Sequence, residues 1–261
     1  MSLKFCALSS GSSGNCHYIE TEGTRILVDA GFSGKRIEEL LSSINVEPNT
    51  IDYILITHEH IDHIKGAGIL SRRYDIPIIA NKNTWIGMVD KIGEIKDKNI
   101  EVISTNKDFN LKDLDVHPFN IYHDAAEPIG YIFYYKKIKI SIATDTGWVD
   151  NNIKNKIKGS NLYLIESNHD VEMLKSGNYP WFLKQRVLSE EGHLSNKDAG
   201  DALSEVLLGN GEIVLLGHLS KENNSPNLAY ETVKEAVGEV YDNIKLDLSH
   251  RDRPTKLYTL Y

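Results

Sequence analysis

The chain has 261 residues, of which 41% are hydrophobic and 25% are charged, and this composition is typical of a globular protein rather than a disordered one. No low-complexity tract or proline-rich linker divides it, so we expect a single domain over residues 1–261. The net charge of −8 argues against a basic surface that coats nucleic acid non-specifically. A polyanion site focused locally by bound metal stays compatible with that charge.

The sequence carries no sign of membrane insertion or secretion. No stretch approaches 18 uninterrupted apolar residues, so we expect no membrane-spanning helix and no membrane partner. The opening MSLKFCALSS lacks both a basic segment and a long apolar segment, so it does not predict a secretory signal. Cys6 and Cys16 are too few for a disulfide scaffold and favour the reducing cytoplasm.

Short apolar runs alternate with helical patterns along the chain. The runs are rich in β-branched residues and predict buried strands at Arg25–Asp29, Ile51–Thr57, Ile76–Ala80, Ile138–Thr144, Leu162–Glu166 and Glu212–Leu216. Apolar residues at helical spacing predict helices over Ile37–Ile44, His63–Tyr74, Ala199–Val206 and Ala229–Val240. Ser195 and Asp198 form a capping box before the third helix, and Ser225 followed by Pro226 begins the fourth.

Two segments of the sequence resemble each other. Arg25–Gly31 reads RILVDAG and Ser141–Gly147 reads SIATDTG, so each is an apolar strand that ends in Asp-x-Gly. Each is preceded by a predicted hairpin, over Phe5–Glu20 and over Asp115–Tyr135. We therefore expect a duplicated unit, in which two sheets with helices outside bury both faces of their apolar strands.

A histidine-rich segment follows the second predicted strand. Thr57 is followed by HEHIDH, which contains the potential metal ligands His58, His60, Asp62 and His63. Imidazole and carboxylate ligands suit zinc, iron or manganese, and a solvated polar loop is the alternative. If the strand ends near Thr57, His58 and His60 lie on one side of an extended segment. Asp62 and His63 then begin a helix and are offset toward a second ion, so the spacing favours two metals.

Three further candidate ligands lie farther along the chain. His123, Asp145 and His218 each follow an apolar run. Taken singly, His123 could be an exposed loop residue, Asp145 a turn residue or helix cap, and His218 a packed core histidine. Their shared position after buried strands favours a common site, because ligands at one edge of a stack of sheets converge.

The order of these motifs resembles that of the metallo-β-lactamase superfamily. The pattern H-x-H-x-D-H at 58–63, followed by His123, Asp145 and His218, covers most of the chain. Segments such as LSSGSSGNCHYIET, THEHIDHIKGAG and GHLSKENNSPNLA resemble more closely the YycJ (WalJ) group of that superfamily. The resemblance implies an α/β fold, a four-layer αββα sandwich with the metal site at one edge of the sheets.

The resemblance also implies a ligand set for two divalent metal ions. It assigns His58, His60 and His123 to one ion, Asp62, His63 and His218 to the other, and Asp145 as the bridge between them. Asp29 matches an aspartate that usually orients the ligand loop. Zinc, manganese and iron all accept such ligands, so the resemblance leaves the metal open.

The YycJ-like group is associated with 5′-to-3′ exonuclease activity, so the resemblance implies DNA as the partner, as a single strand or a strand end. The chain lacks the long insertion between Asp145 and His218 that forms a lid in the β-CASP nucleases. True β-lactamases generally have cysteine at the position of Asp145, so antibiotic hydrolysis is not expected. Hydrolysis of a small thioester, lactone or cyclic phosphodiester stays an alternative, and a non-catalytic protein with structural metal is a second one.

Several residues near these motifs have two interpretations. For a two-metal hydrolase we expect Asp62 to orient the attacking water and His193 to contact the scissile phosphate or protonate the leaving oxygen. His193 could instead be a loop residue beside the helix cap Ser195. Ser12, in the run SSGSSGN, belongs either to a phosphate-binding loop or to a hairpin turn. His169 is either a substrate contact or a packed residue.

Overall fold

A computed structural model describes residues 2–261. In these residues the strands are β1 (Leu3–Ser9), β2 (Cys16–Glu20), β3 (Arg25–Val28), β4 (Tyr53–Leu55), β5 (Ile78–Asn81), β6 (Ile100–Ile103), β7 (Phe109–Leu111), β8 (Leu114–Asn120), β9 (Ile129–Tyr135), β10 (Ile138–Ala143), β11 (Leu162–Glu166), β12 (Ile213–Gly217), β13 (Lys245–Leu248) and β14 (Tyr258–Leu260). The α-helices are α1 (Gly34–Ser43), α2 (Ile61–Ile64), α3 (Ala67–Tyr74), α4 (Lys82–Ile92), α5 (Asn151–Ile157), α6 (Val171–Ser176), α7 (Trp181–Val187), α8 (Asn196–Val206) and α9 (Pro226–Val237). Short 3₁₀ helices occupy Pro48–Thr50, Asp97–Asn99 and Gly238–Asn243.

The strands form two seven-stranded sheets of the same design. The first has the order β14-β1-β2-β3-β4-β5-β6, and the second has the order β13-β12-β11-β10-β9-β8-β7. In the first sheet, strands up to β3 pair antiparallel and strands from β3 to β6 pair parallel. In the second sheet the same change occurs at β10. The predicted duplication is therefore confirmed.

The predicted layers follow from where the apolar side chains lie. Alternate residues of both sheets, among them Phe5, Ile26, Tyr131 and Ile140, form one buried core between the sheets. The opposite face of the first sheet packs against α1, α3 and α4. The opposite face of the second sheet packs against α5, α8 and α9. Because the strands are buried on both faces, they read as continuous apolar runs, and the architecture is the expected αββα sandwich.

The patterns did not predict strands β6, β7, β13 and β14 or helices α4 to α7, and some predicted boundaries also differ from the observed ones. The helix predicted over His63–Tyr74 is two helices, α2 and α3, separated at Lys65 and Gly66. The backbone N–H of Gly66 donates to the carbonyl of Ala30, and a Cβ on Gly66 would lie 2.4 Å from the carbonyl oxygen of Phe32. The helix is interrupted where the chain packs against this backbone. The last predicted helix ends at Val237, and the chain continues as 3₁₀ helix.

Within residues 2–261, none of the helices has both the length and the apolar surface needed to cross a bilayer.

Candidate metal centre

The predicted ligands lie where strands of the two sheets end. His58 follows β4, while His123, Asp145 and His218 follow β8, β10 and β12. The pairing pattern gives β8, β10 and β12 the same direction, so their carboxyl ends lie at one edge of the second sheet. Asp145 and His218 leave their strands in the left-handed conformation, each with φ 55°. Non-glycine residues in this strained region cluster at functional sites, where the surrounding structure holds them.

The histidine segment is held in place by Asp29 and Thr57. Asp29, at φ 62° just after β3, is fully buried and accepts hydrogen bonds from the Thr57 backbone N–H at 2.9 Å. The Thr57 hydroxyl donates to the second carboxylate oxygen of Asp29, also at 2.9 Å. Nδ1 of His63 lies 2.8 Å from that same oxygen, which leaves Nε2 facing the site. Asp29 thus sets the orientation of a candidate ligand, as metal-binding histidines require.

The structure brings the seven predicted ligands together in overlapping sets. The candidate ligand atoms lie within 4.8 Å of one another in the sets His58–His60–His123, Asp62–His63–His218, His58–His63–Asp145 and Asp145–Glu166–His193–His218. The first two sets are the two groups expected from the resemblance. Asp145 shares one set with His58 and His63, which the resemblance assigns to different ions, and another set with His218.

Asp145 lies at the centre of the cluster. Its carboxylate oxygens are 3.3 Å from Nε2 of His63, 3.4 Å from Nε2 of His218 and 4.0 Å from Nε2 of His123. Burial by itself raises the pKa of the Asp145 carboxyl, but His218 and His63 outweigh it and hold that pKa well below its usual range. Burial also holds the pKa of His58 well below its usual value, so this imidazole is neutral. An ionised carboxylate and a neutral imidazole are the forms that bind metal.

The donor atoms fit a divalent cation. Oδ2 of Asp145 and Nε2 of His218 are buried and have no hydrogen-bond partner within the described residues. Unpartnered buried polar atoms are costly, so two of them converging in one cluster point to a ligand that both atoms contact. Imidazole nitrogens and carboxylate oxygens are suitable ligands for zinc, iron and manganese.

One buried carboxylate in this cluster was not predicted from the sequence. Glu166, at the end of β11, accepts hydrogen bonds from Nδ1 of His193 at 2.7 Å and from Nδ1 of His218 at 2.8 Å. Its other oxygen accepts the backbone N–H of Thr146 at 2.7 Å. Burial opposes ionisation, but His193 and His218 outweigh it and lower the pKa of Glu166 to about 2. Its position at the end of an apolar strand, like that of the ligands, is the sequence signal that could have identified it.

His193 lies over the cluster rather than in a remote loop. Its ring centroid is 5.2 Å from that of His123 and 5.1 Å from that of His218. About a fifth (22%) of its side chain is exposed, whereas the rings of His123 and His218 are buried. Ser195, two residues later, is the N-cap of α8 and accepts the backbone N–H of Asp198 at 3.1 Å, as predicted.

The remaining candidates surround this centre. Ser12 is exposed on the loop between β1 and β2, whose buried Asn15 side chain is 2.9 Å from Nε2 of His63. His169 is buried, and neither of its ring nitrogens has a hydrogen-bond partner among the described residues. Burial lowers the pKa of His169 to about 4, so its imidazole is neutral. The backbone of His169 pairs with that of Ser195, which places it beside the segment that carries His193.

Comparisons with known proteins agree with this geometry. The family described as "Beta-lactamase superfamily domain" matches residues 24–218. The chain is 44% identical over 239 residues to exodeoxyribonuclease YycJ of Bacillus anthracis, covering 92% of this chain and 90% of that protein. It is 41% identical over 252 residues to exodeoxyribonuclease WalJ of Streptococcus pneumoniae, covering 96% and 94%.

Solved structures show the same fold. The crystal structure of the metallo-β-lactamase fold protein YhfI from Bacillus subtilis superimposes with a TM-score of 0.76 over the whole of both chains, at 15% identity. The fold of this family implies divalent metal ions, for which the cluster described above supplies candidate ligands. The chain therefore belongs to the metallo-β-lactamase superfamily of metal-dependent hydrolases, within the group of YycJ and WalJ.

Proposed function

We propose that this chain is a metal-dependent exodeoxyribonuclease that degrades DNA from the 5′ end toward the 3′ end. The observation that carries the proposal is the cluster of candidate ligands, whose donor atoms form sets within 4.8 Å of one another. The identities of 44% and 41% to proteins named exodeoxyribonucleases, over more than nine-tenths of this chain, favour DNA over other substrates. The polarity rests on the resemblance to the YycJ-like group.

Two divalent ions, zinc, manganese or iron, would be held by the two histidine groups. The residues are His58, His60 and His123 for one ion and Asp62, His63 and His218 for the other, with Asp145 contacting both. Such a pair of ions supplies a nucleophilic water at neutral pH and neutralises charge on the phosphate. Asp29 would hold His63, and Glu166 would hold His218, in the tautomer and orientation that binding requires.

We assign Asp62 to the attacking water. Its carboxylate is partly exposed, with 22% of the side chain accessible, and one of its oxygens is 3.8 Å from Nε2 of His63. A carboxylate at the rim of the cluster can accept a hydrogen bond from the water and take its proton. Replacing it with asparagine keeps the shape but removes both the base and an anionic candidate ligand, so the metal content of Asp62→Asn is measured together with its activity.

We assign His193 to the leaving oxygen. Its Nδ1–H donates to the Glu166 carboxylate at 2.7 Å, and this hydrogen bond fixes the orientation of the ring. As the general acid, Nε2–H of this ring would donate its hydrogen to the leaving oxygen, which accepts it as the phosphodiester bond breaks. The proposed general acid is thus a partly exposed histidine that a buried carboxylate orients.

We also propose that the protein acts in the cytoplasm. Cys6 and Cys16 are free and buried, and free thiols agree with a reducing compartment.

The test of this function is degradation of end-labelled oligonucleotides. Single- and double-stranded DNA and RNA, with a 5′-phosphate or a 5′-hydroxyl, are incubated with the protein and Mn²⁺ or Zn²⁺. We expect labelled 5′ ends to be released as mononucleotides or short products from DNA before the 3′ ends shorten. Asp62→Asn and His60→Ala should lower the rate by about 100-fold or more.

A histidine outside the cluster provides the matched control. His117 lies on β8 beside Asp108 and belongs to none of the candidate ligand sets, so His117→Ala should retain the nuclease rate. Full activity of Asp62→Asn and His60→Ala with unchanged metal content would contradict the assignment. Turnover of thioesters, lactones or cyclic phosphodiesters without DNA degradation would favour the small-substrate alternative.

A further inference from the structure

A large cavity opens beside the candidate metal centre. It has a volume of about 860 Å³ and lies between three segments, residues 12–13, residues 219–222 and residues 249–253. We call it the Arg251 cavity. Leu219 and Ser220 directly follow His218, so the wall of the cavity begins within about 7 Å of extended chain from a candidate ligand. Ser12 and Ser13 lie on the loop whose Asn15 contacts His63. The cavity is therefore continuous with the loops of the metal centre.

The Arg251 segment is fixed to the rest of the fold. The Ser10 backbone N–H donates to the His250 carbonyl at 2.8 Å, and the Ser9 hydroxyl donates to the Arg251 carbonyl at 2.6 Å. A Cβ on Gly11 would lie 2.7 Å from Cγ of Arg251, so the stem of this arginine packs on the glycine. These contacts hold the arginine against the loop that carries Ser12.

The charges that line the cavity favour an anion. Lys221, Arg251 and Arg253 all line it, and none of them has a carboxylate oxygen within 4.0 Å among the described residues. Glu222 and Asp252 are the acidic residues of the lining. Three cations against two carboxylates form a positive site on a chain whose net charge is −8. Cations without ion-pair partners are available for phosphate oxygens.

An aromatic side chain completes the lining. Tyr179 lines the cavity, and two exposed aromatic residues follow it at the start of α7, Trp181 at 70% exposure and Phe182 at 72%. Proteins that bind single-stranded nucleic acid combine a positive groove for the backbone with aromatic side chains on which bases stack. The Arg251 cavity supplies the positive groove, and Tyr179 supplies an aromatic side chain.

We infer that the Arg251 cavity binds the single strand next to the scissile phosphate, with Arg251 and Arg253 on phosphate oxygens and Tyr179 against a base. This inference rests on the proposed nuclease function and adds to it the site that holds the strand. In this chain the cavity would bind the DNA strand in place of a separate lid domain.

The first test measures binding without catalysis. The full-length protein in EDTA is titrated into a fluorescein-labelled single-stranded DNA 12-mer, and the dissociation constant is followed by anisotropy over a salt series. Each phosphate contact adds about 0.7 to the slope of log affinity against log salt for a single strand. Arg251→Gln with Arg253→Gln should therefore weaken binding about 10-fold or more and lower the slope by about 1.4.

A second basic pair provides the matched control. Lys136 and Lys137 join β9 to β10 at the end opposite Asp145, roughly 25 Å away along the extended strand. Lys136→Gln with Lys137→Gln makes the same change in charge and should leave both affinity and slope unchanged. Tyr179→Leu should weaken binding about fivefold or more. Tyr179→Phe should keep the affinity of the wild-type protein, because bases stack on phenylalanine as they do on tyrosine.

The second test separates the cavity from the metal centre. With Mn²⁺ present, the arginine pair variant should lose activity on the oligonucleotide and keep wild-type turnover of bis(p-nitrophenyl) phosphate, which has no second phosphate for the arginines to bind. A 5′-phosphate dependence of the loss would assign the arginines to the terminal phosphate, and its absence would assign them to internal phosphates. Both results support the cavity as the strand site.

Other outcomes overturn the inference in distinguishable ways. Oligonucleotide binding and cleavage equal to the lysine control would remove the cavity from the substrate site and leave the nuclease function intact. Loss of activity on both the oligonucleotide and the small diester would mean that the arginines support the metal centre instead. Failure of the wild-type protein to bind or cleave any nucleic acid would overturn the proposed function and the inference with it.

Discussion

The unpredicted carboxylate offers the sharpest test of how the centre is built. Glu166→Gln keeps the size of the side chain and replaces one oxygen with an NH₂ group. One oxygen of Glu166 accepts both imidazole N–H groups, from His193 and His218, and the other accepts the backbone N–H of Thr146. An amide has one acceptor oxygen. Whichever way it turns, at least one buried N–H then faces another N–H.

The magnitude follows from these contacts. Leaving a buried donor unsatisfied costs about 1–3 kcal/mol, so we expect Glu166→Gln to lower the free energy of unfolding by that amount. Loss of a carboxylate that orients a ligand histidine costs 10–100-fold in metal affinity or activity. At about 1.4 kcal/mol for each factor of ten, this is roughly 1.4–2.8 kcal/mol of binding free energy. Exodeoxyribonuclease kcat/KM should fall by a similar factor.

The assay is a titration of metal-free protein with Zn²⁺ or Mn²⁺ in competition with a chelating dye, together with metal content by mass spectrometry. Glu212→Gln is the matched control, because Glu212 is a buried carboxylate that accepts the backbone N–H groups of Leu208 at 2.7 Å and Asn210 at 2.6 Å. Glu212 precedes β12, whereas His218 follows it, roughly 20 Å away. Glu212→Gln should lower stability without lowering metal affinity. Equal metal affinities in the two variants would refute the orienting role of Glu166.

Three further predictions concern the cap, the ligand loop and the metal. Ser195→Ala should lower the free energy of unfolding by about 1 kcal/mol because it removes the N-cap of α8. The control is Ser204→Ala on the same helix, and an equal free energy of unfolding for the two variants in denaturant would contradict this. Gly31→Ala should strongly lower the melting temperature, since a Cβ there would lie 1.6 Å from the Asp62 carbonyl oxygen; a wild-type value would disprove the close contact. Metal at 100 times its Kd should raise the free energy of unfolding by about 2.7 kcal/mol, which is seen as a higher melting temperature. Asp145→Ala should abolish this rise in melting temperature. Equal melting temperatures of the wild-type protein with and without EDTA would exclude metal binding at this centre.

Much of the site could be predicted because its residues are marked by local patterns. A strand buried on both faces appears as a short apolar run, and a polar residue directly after such a run stands at the edge of a sheet. His58, Asp145 and His218 were found in this way, as was the duplication around Asp29 and Asp145. The capping box at Ser195 was equally visible, because a cap depends on residues three positions apart.

Other features depend on contacts between residues that are distant in the chain. Glu166 reads as the last residue of a strand, and only the packing of β11 beside β10 and β12 places it between His193 and His218. The interruption of the predicted helix at Gly66 arises from backbone near Ala30, more than thirty residues away.

The amino-acid sequence by itself therefore determined the strands that lead to the candidate ligands, the helices α1, α8 and α9, and the ligands themselves, because hydrophobic periodicity and short spacings specify them. It did not indicate β6, β7, β13 and β14 or the helices α4 to α7. Only the tertiary structure decided which donor faces which acceptor and where a cavity opens. The Arg251 cavity joins the loop of Ser12 to a segment near the other end of the chain. No local pattern specifies this contact between distant segments, since it depends on how β1 and β12 pack with the segment that follows β13.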